Sequence, residues 1–171
     1  SMGGALAMRY AIRPNADIQG VITSAMYLKN AEEVSPLLIL AARIIDFVLP
    51  AAPIRPFDET YLSHDPEVIA DYRNDPLVYH GNIRVRTGLE ILASCKPVYE
   101  GANRIVIPAF LFHGTSDKHA NPDTTPEIYN LIRSEQKRLR MYEDLYHEPL
   151  HEPEYETVTN DILAWLSEVF E

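Results

Sequence analysis

Ile105-Val106-Ile107-Pro108-Ala109-Phe110-Leu111-Phe112-His113-Gly114-Thr115-Ser116-Asp117 is the stretch whose reading decides the fold. Its apolar residues are too continuous for a strand with one wet face and suit a strand buried on both sides. Pro108 would remove a ladder donor, so the strand is expected to begin after it, over Ala109 to His113. Two further segments read as strands: Gly20-Val21-Ile22-Thr23-Ser24-Ala25, short and β-branched, and Arg138 to Tyr142.

Helical patterns lie between these strands. Ala5 to Ile12 holds helix formers with no breaker before Pro14. From about Ala31 to Val48, Leu37, Leu38, Ala41, Ile44, Ile45 and Val48 recur at three- and four-residue steps. Pro50, Pro53 and Pro56 then forbid a helix, and a short one starts near Pro66 and stops at Asp75-Pro76. Further helices are expected from Val85 to Cys95 and on past Pro97, over Pro126 to Ser134, and over Val158 to Phe170 with Trp165. Strands alternating with helices specify an α/β chain with a parallel sheet.

Composition narrows the function classes. The 171 residues are 46% hydrophobic and 23% charged, enough apolar material for a packed core. Fifteen basic against twenty-five acidic residues leave a net charge of −10, and Lys137-Arg138-Leu139-Arg140 is the largest basic cluster. Binding to a nucleic-acid backbone is therefore not expected. The single cysteine, Cys95, excludes an internal disulfide or a Cys-based zinc site and reads as an apolar filler on a helix. Arg43, Asp46, Pro50 and Pro53 interrupt the apolar stretch from Pro36 to Ile54, so no membrane span is expected and a cytoplasmic setting fits.

Three residues follow real or implied strand ends, where open parallel sheets place their functional groups: Ser1, Asp117 and His147. A serine hydroxyl becomes a nucleophile when a neutral imidazole takes its proton. A carboxylate then fixes the imidazole tautomer and stabilises the imidazolium. The order Ser, Asp, His is that of α/β-hydrolases.

Ser1-Met2-Gly3-Gly4 resembles the second half of the Gly-His-Ser-Met-Gly-Gly nucleophile elbow of monoacylglycerol lipases and their lysophospholipase-like relatives. Leu49-Pro50, Leu62-Ser63, Tyr72 with Asp75-Pro76-Leu77, Gly114-Thr115-Ser116-Asp117, and Tyr142-Glu143 ahead of Tyr146-His147 follow in family order over nearly the whole chain. The resemblance implies an α/β-hydrolase fold, with residues 1–25 as elbow helix and following strand, 26–104 as an inserted helical cap, and 105–171 as the C-terminal part of the core. It implies Ser1 as nucleophile, Asp117 as acid, His147 as base and the Met2 N–H as an oxyanion donor. Tyr72 falls near the alcohol end of the substrate, and core packing explains it equally well.

The same resemblance implies that the N-terminal strands of the fold are absent, so a companion chain or segment would have to supply them. Alone, the remaining strands would leave an apolar edge and an uncovered sheet face. The expected function is hydrolysis of monoacylglycerols or similar lipid esters through an acyl-enzyme, without cofactor. Transient contact of the cap with a membrane surface and a homodimer are possible partnerships. Lysophospholipase and short-chain esterase activities are alternatives on the same scaffold. Ser1-Met2 also reads as a tag remnant before an initiator methionine; Ser1 is then no nucleophile, and the chain is a non-catalytic hydrolase fragment that binds a partner chain or lipid.

Other histidines have simpler explanations. His64 and His80 read as surface or capping groups, and His113 as a packed histidine near the site with no assigned role. His119 and His151 lie beside Asp117 and His147 in sequence. His147-Glu148-Pro149-Leu150-His151 is a near miss of the helical zinc motif His-Glu-x-x-His, because Pro149 opposes a helix, and no metal is expected. Asp123 and Asp161 read as helix-end and surface carboxylates.

Overall fold

The computed structural model describes residues 1–31, 34–54 and 56–170. Three strands, β1 (Val21–Ser24), β2 (Ala109–Gly114) and β3 (Lys137–Tyr142), form one parallel sheet in the order β1-β2-β3. Every residue of β2 is buried, which explains its unbroken apolar sequence. Alternate side chains go to opposite faces. Ala109 and Leu111 join a core with Ala5 and Met8 of α1 (Met2–Ala11) and Cys95 and Val98 of α4 (Val85–Gly101). Phe110 and Phe112 join Val158 and Trp165 of α6 (Tyr155–Phe170). Both faces of β2 are thus covered, whereas no residue of β3 is fully buried. Pro108 lies just outside the strand, where its carbonyl accepts from the Val21 N–H (2.9 Å) and no ladder donor is lost.

α1 starts at Met2, three residues before the expected boundary, and buries Ala5, Met8 and Ala11 along one stripe. α2 (Pro36–Val48) takes Pro36 at its first turn, and residues 32 and 33, where the sequence pattern also reads as helical, lie outside the described residues. It rests on α4, yet none of its residues is fully buried. α3 (Pro66–Asn74) is capped by Asp65, whose side chain accepts from the Glu67 N–H (2.8 Å), and ends ahead of Asp75-Pro76. α4 runs through Pro97 to Gly101. α5 (Thr124–Leu131) is three residues shorter than expected at its C-terminal end. There Lys137 Nζ donates to the carbonyls of Tyr129 (2.8 Å) and Ile132 (2.7 Å), placing a cation where the helix dipole favours one.

The register pairs Ser24 with Phe112 and Gly114 with Tyr142, so the carboxyl ends of all three strands lie side by side. The long connection from β1 to β2 carries α2, α3 and α4, and α5 makes the crossover from β2 to β3. Among the described residues no helix is long and apolar enough to cross a membrane.

Candidate active site

The loops that leave the three carboxyl ends meet around Asp117, which is buried. Its Oδ2 lies 2.7 Å from His147 Nδ1 and 2.7 Å from His113 Nε2. Its Oδ1 accepts the main-chain N–H groups of His119 (2.7 Å) and Ala120 (3.1 Å). Burial opposes the charge on this carboxyl. The hydrogen bonds from His113 and His147, with the closeness of His147, outweigh it and hold the group well below the usual carboxylate range. An ionised carboxylate only accepts, so His147 presents Nδ1–H to it, and in the neutral ring the lone pair is then on Nε2. A neutral imidazole held in this way has the chemistry that general-base catalysis requires.

Ser1 is the N-cap of α1, at the end of β1. Its nitrogen donates to the Ser24 carbonyl (3.0 Å), and its own carbonyl accepts from Tyr27 (3.1 Å) and Ala5 (3.3 Å). The Ser1 side chain is exposed, and among the described residues no hydrogen bond joins its hydroxyl to His147. The structure thus pairs Asp117 with His147 and anchors Ser1 beside them through the main chain. Met2 opens α1, so its N–H belongs to the first turn, whose donors have no partner inside the helix. Just after β1, Ala25 adopts φ 42° and donates to the Phe112 carbonyl (2.9 Å), a left-handed turn rarely taken by a residue with a side chain.

The His147 loop is stitched to the segment before α3. The His147 N–H reaches the Tyr61 carbonyl (3.3 Å) and the Glu148 N–H the Leu62 carbonyl (2.9 Å). Glu152, which sequence reasoning passed over, is the hub of this seam. Fully buried, it accepts from the N–H groups of Tyr146 (2.6 Å) and His64 (2.7 Å) and from Ser63 Oγ (3.2 Å). His64 Nδ1 lies 3.1 Å from Glu152 Oε1, and its ring stacks on Tyr146, so it is more than a surface group. His119 stacks on Phe57 (4.3 Å) and meets His147 edge-on (5.2 Å), and burial pushes its pKa down. Tyr72 neighbours Phe57 and His80, and burial raises its pKa.

The remaining carboxylates and histidines are accounted for. His151 turns away from His147 to Glu148 (2.9 Å), and residues 149–151 form a single 3₁₀ turn. Among the described residues no group of three or more His, Cys, Asp or Glu is arranged to hold a metal ion. Asp161 accepts from the Tyr142 hydroxyl (2.9 Å), and Asp123 is the N-cap of α5 without a side-chain bond. Cys95 is buried in α4, where desolvation raises its pKa.

Curated sequences and solved structures resemble this chain. The chain is 33% identical to a monoglyceride lipase of Mus musculus over 172 residues, which is 98% of this chain and 56% of that protein. It is 28% identical to a monoacylglycerol lipase of Mycolicibacterium smegmatis, over 97% of this chain and 59% of the relative. The chain therefore spans little more than half the length of these curated relatives. The crystal structure of Paleococcus ferrophilus monoacylglycerol lipase superposes with a TM-score of 0.87 at 26% identity, over 98% of this chain and 66% of that one. A soluble variant of monoglyceride lipase from Saccharomyces cerevisiae superposes at 0.80 with 21% identity, a likeness of fold. The three strands and their helices are a partial α/β-hydrolase fold. Residues 1–154 match the family described as serine aminopeptidase, S33, and the chain belongs to that family of hydrolases.

Proposed function

We propose that this chain carries the catalytic triad of a serine esterase acting on monoacylglycerols or similar lipid esters. The observation that supports it most is the 2.7 Å contact between His147 Nδ1 and a buried, ionised Asp117, at strand ends shared with Ser1. In this reading His147 Nε2 takes the Ser1 hydroxyl proton as the oxygen attacks the ester carbonyl. The tetrahedral oxyanion is met by the Met2 N–H at the positive end of α1. His147 then protonates the departing alcohol, leaving an acyl-serine. Water, deprotonated by the same imidazole, releases the fatty acid and restores Ser1. Asp117 keeps the tautomer throughout.

Residues 26–104 serve as the cap, with residues 1–25 and 105–171 as core, and the N-terminal strands come from a preceding segment or a companion chain. Tyr72 lies toward the alcohol end of the substrate. The exposed apolar side chains of α2 receive the acyl chain and touch the lipid surface that delivers it. Each buried CH₂ contributes about 0.8 kcal/mol, so acyl length can be selected without polar contacts.

A fluorophosphonate probe followed by peptide mapping tests the assignment. An adduct on Ser1, absent when the protein is denatured before the probe is added, is the expected result. A folded sample with no adduct there would overturn the catalytic reading in favour of a non-catalytic hydrolase fragment. Monoacylglycerols of graded length test the substrate: a short-chain optimum contradicts the role given to α2.

A further inference from the structure

We propose that His113 is a positioning residue for the Asp117–His147 pair, donating Nε2–H to the same carboxylate oxygen and thereby setting how tightly His147 holds its proton. The proposal rests on His147 being the general base.

Both His113 and Asp117 have fully buried side chains, and the Nε2–Oδ2 distance is 2.7 Å. On the other side of the ring, Nδ1 lies 2.7 Å from Thr125 Oγ1, in the first turn of α5. Oδ2 accepts only, so Nε2 carries a proton; with the ring neutral, Nδ1 then accepts a hydrogen bond from the Thr125 hydroxyl. The carboxylate thus fixes the proton on Nε2, and Thr125 holds the ring in the plane that aims it at Oδ2. A purely structural histidine would need only some acceptor. His113 instead uses the oxygen that His147 uses, while Oδ1 is filled by two main-chain N–H groups. Two donors on one oxygen divide its charge. The field that this oxygen presents to His147 is therefore set in part by His113.

Several charged or titratable groups face His147. Asp117 and His119 come from the loop after β2, and burial keeps the His119 ring toward its neutral form. Asp58 in turn acts on His119, and Glu148 follows His147 in its own loop. None of these donates to Asp117 Oδ2, so His113 is the lever specific to that oxygen.

The test follows the His147 ring by NMR titration in wild type, His113→Leu and His113→Gln, beside the pH profile of kcat/KM. Leucine should raise the His147 pKa, and with it the acid limb of the profile, by about half to one unit. Glutamine, with an amide N–H near the Nε2 position, should bring both back to within a few tenths. Equal titration in all three proteins overturns the proposal. If His113→Leu does not fold, long-range ¹H–¹⁵N spectra of wild type decide: an Nε2–H tautomer supports it and an Nδ1–H tautomer overturns it. Failure of the esterase reading is separate, since it shows as no fluorophosphonate adduct on Ser1 whatever the ring titrations give.

Discussion

The main chain of Tyr146 crosses Gly114 so closely that a methyl group on the glycine would land on the Tyr146 carbonyl oxygen, and on that of Leu145 as well. The end of β2 is therefore the floor over which the His147 loop passes, and the Ser116 N–H ties to the Leu145 carbonyl (3.0 Å) nearby. Backbone atoms on both sides leave nothing that can rotate away. Gly114→Ala should destabilise the fold by about 1–3 kcal/mol, as overpacking does. The displacement falls on the residue next to His147, so activity should drop even where the protein stays folded. Urea melts read the first effect and kcat on a soluble ester the second.

Asp117→Asn separates orientation from charge. An amide at this position can present its N–H to His147 and thereby favour the wrong tautomer. In the proposed mechanism kcat should fall by about 10⁴ with little change in KM. Ser1→Ala should abolish turnover and labelling together. Retention of more than a tenth of wild-type kcat by either variant would contradict the triad.

Why some of this was readable in the sequence, and some not, follows from the physics of each element. β2 announces itself because both its faces are covered, which demands apolar residues at every position from Ala109 to Phe112. Asp117 and His147 stand out because each lies in a loop just past a strand end. α5 stops at Leu131 because Lys137, from the next strand, caps its last carbonyls, a contact no local pattern contains. The place of Glu152 was illegible for a related reason. Glu152 meets Ser63 and His64 across 88 and 89 residues of chain, and hydrogen bonds of that kind leave no periodicity. α2 is the reverse case: its sequence reads like core, yet its apolar side chains stand open.

Stability should fall in two steps as the solution is acidified. The His119 pKa is lowered by burial, so below its ordinary value of about 6.5 the unfolded chain binds more protons than the folded one. Stability begins to fall there. Asp117 has a depressed pKa in the fold, so its contribution is complete above its unfolded value of about 3.9 and is lost as pH drops through the folded one. Urea unfolding across a pH series should show both slopes. His119→Leu should flatten the upper one and Asp117→Asn the lower.

α2 provides the test of how lipid reaches the site. Phe47 is 90% exposed, Val48 78% and Leu37 74%, on a helix whose Asp46 is held by Arg86 Nε (2.6 Å). An exposed apolar helix gains free energy by entering a lipid interface in proportion to the area it buries. A large side chain buried fully contributes about 1.5–3 kcal/mol, and 1.4 kcal/mol is tenfold in partition. Replacing Leu37 and Phe47 together by serine should therefore weaken binding to neutral phospholipid vesicles by at least about tenfold. Because the distant Asp117–His147 pair is untouched, hydrolysis of a water-soluble short ester should be retained while turnover of vesicle-borne monoacylglycerol falls. Equal loss on both substrates would mean that α2 supports the fold rather than the lipid surface, and unchanged vesicle binding would remove α2 from the delivery route.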